Sequence, residues 1–442
     1  MSPTKATSGI VHAEPTKDFF ITMLVRDIEL VPAIVDLVDN SIDGARRLRP
    51  NGNFDGLSVR IGFSQEEFSI ADNCGGIPLD IATEYAFRFG RPEKMEKTIH
   101  SVGQFGVGMK RALFKLGSDI SIRSHTAKNS FEVFVDVPKW RRASRWTFPL
   151  TPYKPSRGTE RGTYIKVTEL LAPVKEEFGY SSFASELVET IKRVHGDALS
   201  AGLSITVNGV PISVELRTLF ESEDLQPAYS LTRYFEEDPP EATLRLYVGV
   251  SESNPNAAGW YVYCNGRLVL GPDQTIVTGW GERSGGTIPK YHNQFARFRG
   301  YAFFDCDDAS RLPWTTTKTG VDAGHPLYRA ARTLMVQFTR PVIDFLNELD
   351  REKVIPPTNK RPLEEVVASA EANPRPLSAL TTERPFSAPE QTVVIRPPDK
   401  TSIQYEKPTS EIELVKKKLK ARSASQVGAR TFEYFFNREC KK

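Results

Sequence analysis

Residues 36–45 read DLVDNSIDGA. They lie inside the run 27–49, where Leu30, Ile34, Leu37, Val38 and Ile42 recur at helical spacing and the last turn is basic, as the helix dipole favours. On such a helix Asp36 and Asn40 stand one turn apart and share a face. A carboxylate beside an amide oxygen suits a hard cation and a water held next to it. The plain alternative is a solvated acidic helix face, the commoner outcome for such a run taken alone.

Three further stretches point at the same kind of ligand. Residues 70–78, IADNCGGIP, end a strand on Asp72 and turn through glycines. An aspartate there can meet the exocyclic amine of a purine, with the glycines letting the ring approach the backbone, although an ordinary β-turn uses the same residues. Residues 103–117, GQFGVGMKRALFKLG, run from spaced glycines into a basic helix. That spacing reverses the dinucleotide fingerprint and lacks the ending of a P-loop. Its N–H groups and helix N-terminus still suit a phosphate chain, to which Lys110 adds charge. Lastly, Gly162 and Thr163 lead the strand GTYIKV, where the threonine hydroxyl reaches the same purine through water.

In this order and at these separations the four stretches resemble the Bergerat nucleotide-binding fold of the GHKL superfamily. That superfamily includes DNA gyrase B subunits, ninety-kilodalton heat-shock chaperones, sensor histidine kinases, MutL proteins and Microrchidia ATPases. The resemblance implies ATP and Mg2+ as cofactors. It gives Asn40 the metal, Asp72 the adenine amine, and Gly76, Ile77 and Thr163 the rest of the adenine pocket. Gly103, Gln104, Gly106, Val107 and Gly108, with Lys110, become a lid over the triphosphate. Asp36 takes the position of the general base, where the family usually has glutamate; it is one methylene shorter, which implies slow hydrolysis. Cys74 replaces the first glycine of the adenine box and leaves Gly76 to make the close approach. Downstream, residues 310–320 read SRLPWTTTKTG and resemble the segment by which a transducer domain sets a basic residue on the γ-phosphate. Lys318 is the expected sensor, with Thr317 and Lys110 as lesser candidates.

The expected fold is α+β. A Bergerat sandwich occupies residues 1–202, with its N-terminal arm, and is followed at 203–354 by a transducer-like α/β domain resembling a ribosomal S5-type fold. The pairs Asn208-Gly209 and Asn265-Gly266 signal hairpins in the second domain. Residues 355–408 are rich in Pro, Thr, Ser and Glu and read as a linker, and 409–442 as a short helical segment with Ile412, Val415 and Leu419 on one face. A net charge of +3 on 442 residues does not announce a nucleic-acid binder, so any basic surface is local. KWRRASRW (139–146), KYHNQFARFRGY (290–301) and KKKLKAR (416–422) are the stretches that suit phosphates or stacked bases, and each reads equally as solvated surface. The six histidines show no ligand spacing. Four scattered cysteines, no apolar run of membrane-spanning length and no signal peptide point to a cytoplasmic protein.

The nearest overall resemblance is to compact two-domain ATPases of the Microrchidia kind. The leading expectation is an ATP-gated homodimerising clamp acting on DNA in restriction, repair or chromosome maintenance, with no membrane role. Two other readings stay open at this stage: a chaperone-like ATPase that remodels a protein partner, and an ATP-binding switch with little hydrolysis.

Overall fold

The computed structural model describes residues 16–26, 28–88, 101–102, 108–234, 242–282, 288–352, 361–390, 403 and 406–440. Of the expected lid, Gly103, Gln104, Gly106 and Val107 lie outside the described residues; Gly108 and Lys110 lie within them. The chain divides into two units, Met1–Thr392 and Val393–Lys442.

Alternating strands build the first sheet of the larger unit. In β3 (Gly117–His125) and β4 (Ser130–Asp136), Ile120, Ile122, Phe131, Val133 and Val135 turn inward while Arg123, Glu132 and Phe134 face out. With β1 (Ser58–Phe63), β2 (Phe68–Asp72), β5 (Leu150–Pro152), β6 (Gly162–Leu170), β7 (Ser204–Val207) and β8 (Val210–Pro211), they form the order β5-β4-β3-β6-β2-β1-β7-β8. Only the β1–β7 pair is parallel. Helices α1 (Lys17–Arg26), α2 (Leu30–Leu48), α3 (Leu79–Ile81), α4 (Gly108–Leu116), α5 (Val137–Arg142), α6 (Ala172–Gly179), α7 (Phe183–Val194) and α8 (Gly196–Ser200) complete this part. The apolar stripe of α2 is buried as its spacing predicts, in one core with Leu113 and Leu116 of α4 and Leu187 and Ile191 of α7. The α+β expectation is met.

Lys17 ties α1 down. Its ammonium donates to the carbonyls of Trp140, Ala143 and Arg145 at 2.6–2.7 Å and lies 4.5 Å over the Trp140 ring. The tryptophans of residues 139–146 are therefore engaged within their own domain: Trp140 is buried, and Trp146 packs edge-on to Phe20.

After β9 (Thr218–Phe220), a five-stranded sheet runs β10-β11-β14-β12-β13, formed by β10 (Ala228–Tyr234), β11 (Ala242–Val250), β12 (Gly259–Cys264), β13 (Arg267–Asp273) and β14 (Phe298–Cys306). The two Asn-Gly pairs make tight turns with every φ positive, as two-residue hairpins require. Asn265-Gly266 joins β12 to β13 of this sheet as expected, whereas Asn208-Gly209 joins β7 to β8 and belongs to the first sheet, which runs past the expected boundary at 202. One face packs against the long α9 (Pro326–Glu352), where the buried Trp260 indole donates to Thr339 Oγ1 at 3.1 Å. The other face is aromatic, with Tyr263 stacked on Phe303 at 4.5 Å. From the stretch 290–301, Phe295, Phe298 and Tyr301 are buried, and Arg299 donates to the carbonyls of Ala296, Phe298 and Glu252.

The reading of 355–408 as linker needs correction. Residues 361–390 fold onto the second sheet through α10 (Pro362–Glu371) and β15 (Pro374–Pro376), which pairs with β9. Leu363, Val367 and Ala370 are buried at helical spacing, Pro362 fits the first helical turn, and the buried Glu352 carboxylate accepts the N–H groups of Leu363 and Glu364 at 3.1 Å. Proline content suggested a tether, but here proline starts a helix and fits a short edge strand. The smaller unit holds α11 (Thr409–Leu419) and α12 (Ala424–Phe435), separated by Lys420 in the left-handed region.

Phe304 is fully buried between the second sheet and α9. Phe304→Ala should cost about 3–5 kcal/mol and lower the thermal unfolding midpoint. An unchanged midpoint in a calorimetric scan would contradict this packing.

Candidate functional site

Asp72 ends β2 with its carboxylate already fastened. Oδ1 accepts the N–H groups of Cys74 at 2.9 Å and Thr163 at 3.1 Å, and Oδ2 accepts the Ser41 hydroxyl at 2.8 Å. An ionised carboxylate offers about four acceptor positions, so one on Oδ2 stays open to an exocyclic amine. Burial raises the Asp72 pKa, against the opposing pull of Cys74, Ser41, Thr163 and Arg47. Glycine is required at 162, because a Cβ there would fall 1.8 Å from the Asp72 carbonyl oxygen. The same holds at Gly76, with φ at +73° and a Cβ position 2.5 Å from the His125 carbonyl oxygen. Ile77 is held next to it by Ser124, whose Oγ accepts the Ile77 N–H at 2.7 Å and whose hydroxyl donates to the Ile77 carbonyl at 3.1 Å. The Thr163 hydroxyl makes no hydrogen bond to a described residue.

On α2, Asn40 is exposed and its Nδ2 donates to the Asp36 carbonyl at 3.0 Å, which leaves the amide oxygen facing outward. An outward amide oxygen fits magnesium, a cation that takes few protein ligands. Asn40 and Ser41 are consecutive, so one turn of helix joins the magnesium candidate to the adenine candidate.

The buried side of that turn is ionic. Asp36 lies 3.2 Å from Arg111 Nη2 of α4, 3.5 Å from Arg267 Nη1 of β13 and 3.8 Å from Lys318 Nζ. Gly108 lets α4 begin against it; a Cβ there would stand 3.1 Å from Asp36 Oδ2. Asp39, with no exposed surface, takes Lys318 at 2.7 Å and Arg267 on the same oxygen. Lys318 sits at φ +55° in the turn that starts at Thr315, a conformation costing a non-glycine residue about 1 kcal/mol or more and recovered here through its ion pair. Burial, then Arg267, lowers its pKa to about 8, with Asp36 and Asp43 opposing; burial lowers that of Arg267 to about 10.

His195 faces Asp39 from below, Nε2 to Oδ1 at 3.3 Å. Burial, Arg46 and Lys318 push its pKa down to about 3, so the ring is neutral and the contact is not an ion pair. Lys110 differs from the expectation of a cation on the phosphates. It is buried in α4, donates to the Ala86 carbonyl at 3.0 Å, and burial lowers its pKa to about 7.

Asp36, Asn40, Gly108 and Lys318 thus converge on one turn of α2, and Ser41 connects them to Asp72, Gly76, Ile77 and Thr163. Sequence reading missed Arg267, Arg111, Ser41, Ser124 and His195. Arg267 directly follows the Asn265-Gly266 turn, where the hairpin signal was visible but the destination of the next side chain was not.

Residues 28–165 match the family described as histidine kinase-, DNA gyrase B-, and HSP90-like ATPase. That span holds every candidate nucleotide residue except Lys318 and the lesser candidate Thr317. This part of the chain is a GHKL-type ATP-binding domain. The chain is also similar to the human protein "MORC family CW-type zinc finger protein 1", 26% identical over 268 residues, which covers 55% of this chain and 24% of the relative. The chain therefore spans about a quarter of the length of that relative. Among the described residues no helix is long and apolar enough to cross a membrane.

The His195 shift has a fixed sign. Its folded pKa of about 3 lies below the ordinary 6.5, so as pH falls through that window the unfolded chain takes up a proton that the folded chain refuses, and stability is lost. Thermal midpoints between pH 7 and 4 should fall less steeply in His195→Gln than in the wild type; parallel slopes would contradict a neutral buried ring.

Proposed function

We propose that this GHKL protein is a magnesium-dependent ATPase that works as an ATP-gated dimerising clamp or switch with DNA as its client. The observation that carries the reading is the meeting of Lys318, from beyond the second sheet, with the Asp36–Asn40 turn of the ATP-binding domain. A transducer cation standing beside the candidate base is what a nucleotide-gated device needs, because the γ-phosphate would compete with Asp36 and Asp39 for it.

Asp72 would accept the adenine amine on its open Oδ2 position, and Asn40 would offer its amide oxygen to magnesium. When bound, the metal supplies charge neutralisation at the phosphates. Asp36 would polarise the attacking water as general base, and Lys318 would stabilise charge on the transferring group as a point cation. Dimerisation through the N-terminal region and action on DNA extend this reading from the resemblance to GHKL and Microrchidia proteins. A second reading, a binding switch with little turnover, is favoured by one specific observation: Asp36 is both a short base and held by three cations.

Phosphate release and Mg-ATP binding, measured on the same proteins, test the assignment. Asn40→Ala should lose Mg-ATP binding; if it binds as the wild type does, the site assignment fails. Asp36→Asn and Lys318→Gln should keep binding and lose turnover by about 100-fold. A wild type that binds Mg-ATP but turns over no faster than Asp36→Asn would favour the switch. Light scattering with a non-hydrolysable analogue and salt-dependent plasmid retention test the dimer and the client.

A further inference from the structure

A cleft of about 1320 Å³ opens between the C-terminal end of α2 and the aromatic face of the second sheet. None of the described candidate nucleotide residues lines it. Arg46 and Arg47 follow Asp36 by ten and eleven residues and Asn40 by six and seven, so this end of the helix lies roughly 9–16 Å along the axis from the residues of the acidic turn.

The floor is a layer of arginine on aromatic rings. The Arg217 guanidinium lies 4.8 Å over Tyr263, and that of Arg245 lies 5.1 Å over Phe303. Asp197 and Asp305 neutralise these two arginines in part. A guanidinium whose one face rests on a ring offers its other face to a second planar group, the usual seat of an unstacked nucleobase. The rim is different. Arg46 is engaged with the Asn265 carbonyl at 2.6 Å, whereas the side chains of Arg47 and Arg49 make no hydrogen bond or ion pair to a described residue. Five arginines line the cleft against three aspartates, and Arg49, with Arg47 that also acts on Asp72, keeps its guanidinium clear of any hydrogen bond or ion pair to a described residue.

We propose that this cleft binds a nucleotidyl ligand outside the ATP pocket, with its base over the Arg217–Arg245 floor and its phosphates on Arg47 and Arg49. A single-stranded nucleic acid and a free nucleotide share that chemistry. The volume, about 1320 Å³, exceeds the range of a drug-sized pocket and admits more than one nucleotide, which favours the strand. Such a ligand touches both the helix that carries Asp36 and the sheet that carries Arg267, so its binding bears on the relation between the two domains. The proposal does not depend on ATP turnover.

The test uses the full chain with two probes, a fluorescent oligothymidylate of about 12 nucleotides and UTP, whose base lacks the amine that Asp72 would accept. Anisotropy titrations at several salt concentrations should show oligonucleotide binding that persists with saturating Mg-ATP. Arg49→Glu, which leaves Arg47 beside Asp72 untouched, should weaken it at least about fivefold and flatten the salt slope by roughly 0.7 of a unit. Leu216→Glu, which adds an acid at the exposed lip of the cleft, should weaken it as well. Binding of UTP alone with the same sensitivity supports the site and identifies a free nucleotide as the source. All these substituted positions are exposed, and Mg-ATP binding by each variant shows that it is folded. Failure of both probes to bind, displacement by Mg-ATP, or loss of binding only on reversing Lys416, Lys417 and Lys418 would overturn the proposal. Loss of Mg-ATP binding in Asn40→Ala, by contrast, concerns only the ATP pocket.

Discussion

The carboxylate of Asp39 has no exposed surface, and an isolated charge at that depth is untenable. It is tolerated because two cations reach it from the other sheet, Arg267 from β13 and Lys318 from the turn before α9. The dependence is mutual, since neither cation has another carboxylate as near. Breaking a buried pair of this kind by removing one partner costs about 3–5 kcal/mol. The two sheets are thereby joined at one turn of α2 by groups whose charges must be matched for either sheet to stay docked. Any ligand that offers Lys318 a different anion acts directly on that joint.

Further contacts between the two parts extend from this point along α2. Arg46 donates to the Asn265 carbonyl, while the Asn265 side chain bridges Ser101 and Cys306. Asp43 accepts Ser101 Oγ at 2.9 Å and the Val102 N–H at 2.7 Å, and so fixes the two described residues that precede Gly103 in sequence. Acidic and basic positions on one helix therefore face the candidate nucleotide residues on one side and the second sheet on the other. This is why the acidic run is too buried to be a solvated face.

Much of the fold was legible where its signals are local. The apolar stripe of α2, the alternation in β3 and β4 and the Asn-Gly turns each depend on neighbours within a few residues. The pairing of Asp72 with Thr163 was legible only through resemblance, since 91 residues separate them. Arg267 and His195 were invisible for a physical reason: what defines them is a partner more than 150 positions away, and no local pattern encodes that distance. Residues 361–390 failed differently. Their proline-rich composition was read as a linker, but an edge strand and a first helical turn accept proline.

The return of that segment bears on where the larger domain ends. Because β15 lies on β9, and Leu377 and Leu380 pack against the tyrosines of the second sheet, a chain cut after α9 would bare an aromatic surface to water. Glu352 would at the same time lose the N–H groups of Leu363 and Glu364 that its carboxylate accepts at the start of α10. The natural limit of the autonomous unit is thus set by a hydrophobic debt rather than by composition, and lies near residue 390. Protease cleavage that leaves a soluble core should respect that limit and spare the proline-rich stretch before it.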